Sequence, residues 1–452
     1  MEPRHLGCYE KFSLISTINL MPATHEHSRP PASGSVGQGQ VPRDMQSKPD
    51  MVKPSPLNPQ PSTAHAAILT ASRDRPYALG LAAALMTQGV VFDFVGGDGV
   101  DSPELHGHPQ VTFLNLRNQR EDAGLWQKTT RVLVYYLRLI RYAATARPRI
   151  FHILWNNKFE LFDRTWLMAY YRLLGKKIVF TVHNVNIRAR DGGDSRLNRA
   201  TLKFQYRQCD HIFVHTEKMG QELQTDYGIP AGRISLIPFG VNNTVPNTAL
   251  TKDEARRRLG LGEHDKTLLF FGNIAPYKGL EYLVAAFIEV ARQSADYRLI
   301  IAGRPKGCDE YWAGLLATIN ASPVRSRIIL KIEYVPDAET EIYFKAADVL
   351  VLPYTHIFQS GVLFLGYGFG LPVLAADVGS LKTEIIAGET GFVFRSQDSS
   401  DLQVVIEKYF ASNLYRDLDV KRKTIRDHAN EQYSWTKVGE ITRRVYVDLL
   451  TR

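Results

Sequence analysis

Cysteine is scarce in this chain of 452 residues: Cys8, Cys209 and Cys308 are odd in number and form no CxxC pair. Neither a disulfide framework nor a structural zinc site is built on such a set, and a reducing, cytoplasmic setting is the default. Long apolar runs are missing too. None approaches the roughly 20 residues that a membrane-spanning helix needs, and the mean hydropathy is −0.20, so a polytopic membrane protein is excluded. No DxD-like carboxylate pair stands out as a magnesium site; Asp98 and Asp101 follow two glycines in a loop-like context. No GxGxxG follows the first strand of either half, which disfavours a nicotinamide dehydrogenase.

Of the residues, 44% are apolar and 22% charged, material for two folded domains of ordinary size. The net charge of +9 is concentrated in residues 66–240, with 23 Lys and Arg against 15 Asp and Glu; residues 241–452 balance at 26 each. A field of that sign gathers anionic membrane, phosphorylated ligands or nucleic acid. The second half is neutral and no nucleic-acid recognition module is identifiable, so a nucleic-acid partner is not expected.

Ten of the 23 prolines fall in the first 61 residues, among Ser, Gly and Gln, so residues 1–65 read as a disordered tail. The semi-apolar stretch Phe12 to Met21 is interrupted by Ser13, Ser16, Thr17 and Asn19, which argues against a secretory signal. A misplaced start codon upstream of Met45 or Met51 explains the segment at least as well.

From Ala66 short apolar runs alternate with amphipathic stretches. AAILTAS, VVFDFVGG, VTFLNL, IFHILW, KIVFTVH and HIFVHT read as strands, with helices such as Tyr77–Gln88 and Phe162–Leu174 between them. The loop-like PFGVNNTVPNT around Gly240 ends a first domain, residues 66–240. A second alternation fills residues 241–452: TLLFFGNI, YRLIIAG, RIILKIEYV, DVLVLPY and LPVLAAD are strands, with helices at Thr251–Leu259, Leu280–Gln293 and Ala338–Ala347. Asp401–Leu450 reads as largely helical, and its last helix is placed to pack back on the first domain. The fold class is α/β: two Rossmann-like, doubly wound parallel-sheet domains face each other across a cleft, where the strand C-termini place ligands.

Two stretches carry anion-binding chemistry. In FFGNIAPYKG, residues 270–279, a strand ends, the chain turns through Gly272 and Gly279, and Lys278 stands just before a helix N-terminus. Bare N–H groups and the helix dipole there suit a diphosphate. Taken alone, the stretch reads rather as a solvated loop cation, Lys278, and a turn residue, Gly279. In the second stretch, Gln359, Ser360, Gly361 and Val362 open a helix that closes near Gly370. Without its bare amides that helix is an ordinary buried one, with glycines for close packing.

Together with YFKAADVLVLPY, GLPVLAADVGS, AGETGFVF, IPFGVN and TVHN, these strings resemble the retaining, nucleotide-sugar-dependent glycosyltransferases of family 4, whose two-domain fold is called GT-B. The resemblance covers Ala66 to Arg452. It implies that Lys278 binds the donor diphosphate, that Gly272 lets the backbone approach the donor, and that His183 lines the sugar site, where a histidine at a strand end is otherwise structural. His183 and Lys278 are thus the candidate catalytic residues; Gly272, Asn273, Arg304, Gln359, Ser360, Gly361 and Val362 complete the donor side. Two departures stand out. Asn273 replaces the family's arginine, with Arg304 as a substitute, and Ile357 and Leu365 occupy the positions of its paired glutamates.

On the acceptor side fall Tyr77, Gly80, Trp155 and Asn156, with Arg188–Asp194 beyond; the latter segments read also as plain loops. Lys128–Arg149 reads as a helix with six basic and no acidic residues, with Arg131, Arg138 and Arg141 on one face and Val132, Leu133, Tyr136, Leu137 and Ile140 on another. It suits an anionic membrane surface, or a helix packed on the sheet with a solvated basic side. The resulting expectation is a metal-independent, retaining glycosyltransferase needing no cofactor besides its nucleotide-sugar donor. It would be cytoplasmic, with a peripheral membrane contact, and would act on a saccharide or lipid-linked acceptor in bacterial surface polysaccharide synthesis. The alternative is a non-catalytic GT-B protein that binds a nucleotide sugar or a partner glycosyltransferase.

Overall fold

The computed structural model describes residues 64–117, 125–190, 193–241 and 245–451. The proline-rich segment read as a tail lies outside the described residues up to position 63. Strands β1 (His65–Leu69), β2 (Val91–Gly96), β3 (Val111–Asn115), β4 (Ile150–Ile153), β5 (Lys177–Val182), β6 (His211–Val214) and β7 (Ile234–Leu236) form a seven-stranded sheet in the order β3-β2-β1-β4-β5-β6-β7. Strands β8 (Lys266–Phe271), β9 (Tyr297–Ala302), β10 (Ile328–Lys331), β11 (Val349–Leu352), β12 (Val373–Ala376) and β13 (Gly391–Phe394) form a second sheet in the order β10-β9-β8-β11-β12-β13. Every pairing is parallel; Ile68 of β1, for example, faces Phe94 of β2 and His152 of β4. Parallel strands covered on both faces read as continuous apolar runs, and VLVL in β11 and VLAA in β12 are wholly buried.

The first sheet separates two cores. Ile178, Phe180 and Val182 of β5 point to one that also takes Tyr135, Tyr171 and Tyr206, while Val179 points to the other, with Tyr77, Leu81 and Leu85. That second core is closed by the end of the chain: Val438, Val445 and Tyr446 of the helix Trp435–Thr451 lie against the helix Arg75–Thr87. No helix among the described residues is long and apolar enough to cross a membrane.

The structure departs from the sequence reading at several edges. The basic helix runs Leu125–Thr145 rather than to Arg149. Pro148 disfavours the helical conformation at Arg147, and β4 begins at Ile150. The helix expected over Phe162–Leu174 starts at Glu160 and contains a π turn at Asp163–Leu167 before Met168–Leu173. Two strands were not read from the sequence. β7 is a three-residue edge strand, and β13 starts at Gly391, where a Cβ would lie 1.8 Å from the Val373 carbonyl oxygen.

Candidate active site

On the second domain, the ends of β8 and β9 meet backbone to backbone. Gly272 has φ +105°, and a Cβ on Gly303 would stand 1.8 Å from its carbonyl oxygen, so both positions need glycine. The chain then makes a 3₁₀ turn at Pro276–Lys278. Gly279, at φ +61°, starts the helix Leu280–Gln293 beneath the Pro353 carbonyl. This tight seat buries Lys278. Its Nζ donates to the Tyr354 hydroxyl at 2.7 Å and stands 3.9 Å from that ring's centroid, a cation–π contact that helps an ammonium tolerate burial. Tyr354, two residues past β11, is fully buried, and burial pushes its phenol well above the ordinary range. Ser360 donates to the same hydroxyl at 3.3 Å.

Lys278, Tyr354 and Ser360 therefore form one chain that joins the two glycine-rich segments. Ser360 makes no side-chain cap bond, so it leaves the first amides of the helix Gly361–Gly368 uncapped. The β-carbon position of Gly272 is 3.5 Å from Val362, which sets that helix start beside the β8 turn. Gln359 Oε1 is buried with no hydrogen-bond partner among the described residues. Asn273 is exposed. The backbone carbonyl of Arg304 accepts from Ile274 at 2.8 Å, while its guanidinium lies over the Tyr334 ring at 5.4 Å. Leu365 is buried in the core, and Ile357 packs against it.

On the first domain, His183 follows β5 and stacks on Trp155, with centroids 4.4 Å apart and planes within 2°, while Tyr77 meets it edge-on at 4.6 Å. His215, just past β6, holds the Ile237 carbonyl through Nδ1 at 3.2 Å and His183 Nδ1 through Nε2 at 3.1 Å. A carbonyl can only accept, so His215 Nδ1 carries a proton and its Nε2 takes the one from His183 Nδ1. That leaves a lone pair on His183 Nε2, which is buried and has no partner among the described residues. Burial, with His215 as the second cause, holds His183 well below its ordinary value; burial pushes His215 down to about 4. Beneath them His152 bridges the Tyr446 hydroxyl at 2.6 Å and Thr181 at 2.7 Å, and burial pushes it down to about 3. The result is a neutral surface with a bare acceptor, the chemistry that receives a hydroxyl rather than a phosphate.

Phe239 joins the halves. Its ring is 5.1 Å from His215 and 5.4 Å from Phe364, and a Cβ on Gly361 would be 3.9 Å from it.

Several residues expected on the acceptor side have packing roles in the structure. Tyr77 is buried at the centre of the aromatic cluster, and Gly80 is the floor of a socket: a Cβ there would stand 2.1 Å from the Trp435 indole, and one on Gly240 2.2 Å from it. Trp435 also donates Nε1–H to the Val241 carbonyl at 2.9 Å. Both residues thus seat the closing helix. Asn156 exchanges amide hydrogen bonds with Gln205 at 3.1 and 2.6 Å. Trp155 keeps its place beside His183. Arg188 pairs with Glu160 at 3.3 Å.

Sequence reading missed Tyr354, His215, Phe239 and Trp435 as parts of the site. The detectable signal was positional: Tyr354 ends the string YFKAADVLVLPY, and His215 ends a strand as His183 does. Among the described residues no group of three or more His, Cys, Asp or Glu is placed to hold a metal ion.

Two family models match successive parts of the chain, Glycosyltransferase Family 4 over residues 76–245 and Glycosyl transferases group 1 over residues 265–411. The D-inositol 3-phosphate glycosyltransferase of Streptosporangium roseum is 31% identical over 214 residues, 46% of this chain and 49% of that protein. Its counterpart from Gordonia bronchialis is 24% identical over 348 residues, 74% of each chain. The match thus spans about half the length of the first of these relatives. Among solved structures, sucrose-phosphate synthase from Thermosynechococcus elongatus aligns with a TM-score of 0.67 at 18% identity, over 86% of this chain and 99% of its own. HepE from Anabaena, solved with UDP and glucose, aligns at 0.65 and 14%, over 85% and 99%. These structural likenesses place the two domains in the GT-B fold, and with the two family models the chain belongs to the family 4, group 1 glycosyltransferases.

Proposed function

We propose that the protein transfers a sugar from a nucleotide-diphosphate donor to a saccharide or lipid-linked saccharide acceptor, with retention of configuration and without a metal ion. The observation that carries this reading is the buried chain Lys278–Tyr354–Ser360 at the start of the helix Gly361–Gly368. Negative charge develops on the leaving phosphate, and an ammonium with oriented N–H groups stabilises it in place of a cation. Across Phe239, the bare Nε2 of His183 accepts a hydroxyl of the sugar or acceptor and orients it. Family membership supports retention and a role in bacterial surface polysaccharide synthesis, and HepE, solved with UDP-glucose, supports a nucleotide-sugar donor.

A second reading, a non-catalytic binder of a nucleotide sugar or partner glycosyltransferase, is favoured by one observation. Asn273 is exposed where the family has an arginine, and Leu365 is buried in the core where it has a glutamate. Thermal shift of the purified protein with UDP, GDP, ADP and their sugar conjugates, with and without EDTA, followed by assay of nucleotide release, separates the two. An EDTA-insensitive shift with one nucleotide family, and release of that nucleotide in the presence of acceptor, is expected. A shift with no release across donors and acceptors would establish the binder, and a shift abolished by EDTA would overturn metal independence.

A further inference from the structure

The helix Leu125–Thr145, the π-containing segment Glu160–Leu173 and the helix Arg196–Gln208 form one continuous layer on a single face of the first sheet. Tyr136 stacks 5.4 Å from Phe159 and meets Phe162 edge-on at 5.3 Å; the Tyr170 hydroxyl donates to the Ile140 carbonyl at 3.2 Å, and Arg164 to Asn198 at 2.8 Å. Inner side chains such as Tyr135, Leu139, Tyr171 and Tyr206 close on the sheet.

The outer side of this layer is not an ordinary polar surface. Trp166 is 74% and Leu173 86% exposed, and Leu133, Leu137, Leu161 and Leu197 are exposed as well. Large exposed apolar side chains carried by one layer mark an interaction surface. The π turn at Asp163–Leu167 contributes directly. In an unbroken α-helix, residues five apart point roughly 140° apart. The wider turn brings Leu161 and Trp166 toward the same side, and Leu173, two α-turns further on, joins them.

Charge of one sign dominates this part of the chain. Residues 131–208 contain 16 Lys and Arg against four Asp and Glu, an excess larger than the net +9 of the whole chain. Arg172 and Arg188 are spent on Asp210 and Glu160. Arg138, Arg141, Arg196 and Arg207 are exposed, and none has a carboxylate partner among the described residues.

We propose that this layer docks on an anionic lipid bilayer, Trp166 and Leu173 entering the interface while the arginines meet lipid phosphates. Apolar insertion and charge attraction add at such a surface, and the large surplus of cations matches an anionic bilayer. The surface extends well beyond the single basic helix legible in the sequence, and its deepest anchors lie on the neighbouring segment. It does not rest on the transfer reading: nucleotide-induced thermal shifts are measured without lipid, so either can fail alone.

The test is vesicle flotation of the full chain. Binding to phosphatidylcholine vesicles holding about 30% phosphatidylglycerol should be at least tenfold stronger than to phosphatidylcholine alone, and should weaken in about 0.5 M salt. Trp166→Asp combined with Leu173→Asp should lower binding about tenfold. Arg138→Glu with Arg141→Glu should erase the preference for anionic lipid. All four positions are exposed, so unchanged circular dichroism melting shows that folding is intact. Equal binding to both vesicle types, wild-type binding by the Trp166/Leu173 variant, or affinity for a short RNA as high as for anionic vesicles would overturn the proposal.

Discussion

On the second-domain side of the site a buried ammonium, Lys278, rests against a tyrosine that also takes a serine, whereas on the first-domain side three histidines, the buried His152 and His215 and the half-buried His183, are held neutral. Burial acts on all four groups, yet the lysine has an aromatic face and a hydroxyl to stabilise its charge. The histidines instead pair with one another, a carbonyl, a threonine and a tyrosine, partners that neutral rings satisfy. The contrast separates two tasks. Fixed positive charge and bare amides suit a diphosphate, and a neutral acceptor beside flat aromatic rings suits a sugar.

The comparison breaks most severely from beneath the histidine side. Trp435→Ala empties the socket between Gly80 and Gly240 and should cost about 3–5 kcal/mol in denaturant unfolding; a loss below about 1 kcal/mol would show that the aromatic cluster does not depend on it.

Acid comes next. His215 titrates at 6.5 when unfolded and about 4 when folded, so the unfolded chain binds the extra proton between those values. Stability from this group is complete above the unfolded value and falls as the pH drops toward the folded one, by about 3 kcal/mol in all. Melting temperature should decline over that window; a flat profile from pH 7 to 4 would contradict the neutral assignment.

Lys278→Ala tests the charged side. Nucleotide-sugar turnover should drop about 100-fold, with the fold retained by circular dichroism; activity within about threefold of wild type would remove the phosphate role. The smallest effect sharpens the division of labour. His183→Ala should reduce kcat about tenfold while leaving nucleotide affinity nearly unchanged, and equal losses in both would place His183 on the donor side.

Much of the fold was legible because parallel strands and their helices announce themselves locally. Leu280–Gln293 was bounded correctly, and Gly272 and Gly279 were found as turns because their backbone angles exclude other residues. The missed β7, three residues long, is too short to show a pattern, whereas β13, as long as β11 and β12, is recognisable as a strand chiefly through its pairing with β12. In the candidate site, Lys278 and Ser360 were identified singly, but the Tyr354 hydroxyl that unites them was not, since that link spans 76 residues. Tyr77 and Gly80 were given to the acceptor because nothing near them in sequence points to an indole from residue 435.

The order of apolar runs, glycines and helix starts by itself determined two parallel α/β domains and two glycine-marked strand-to-helix turns, because each depends on residues within a turn or two of one another. Tertiary structure alone decided that these segments share one tyrosine, that His183 presents a bare nitrogen, and that the closing helix fills the hole left by Gly80 and Gly240. Those outcomes arise from burial and close contact between distant parts of the chain, where the room left by a missing side chain and the partner of each polar atom exist only after folding.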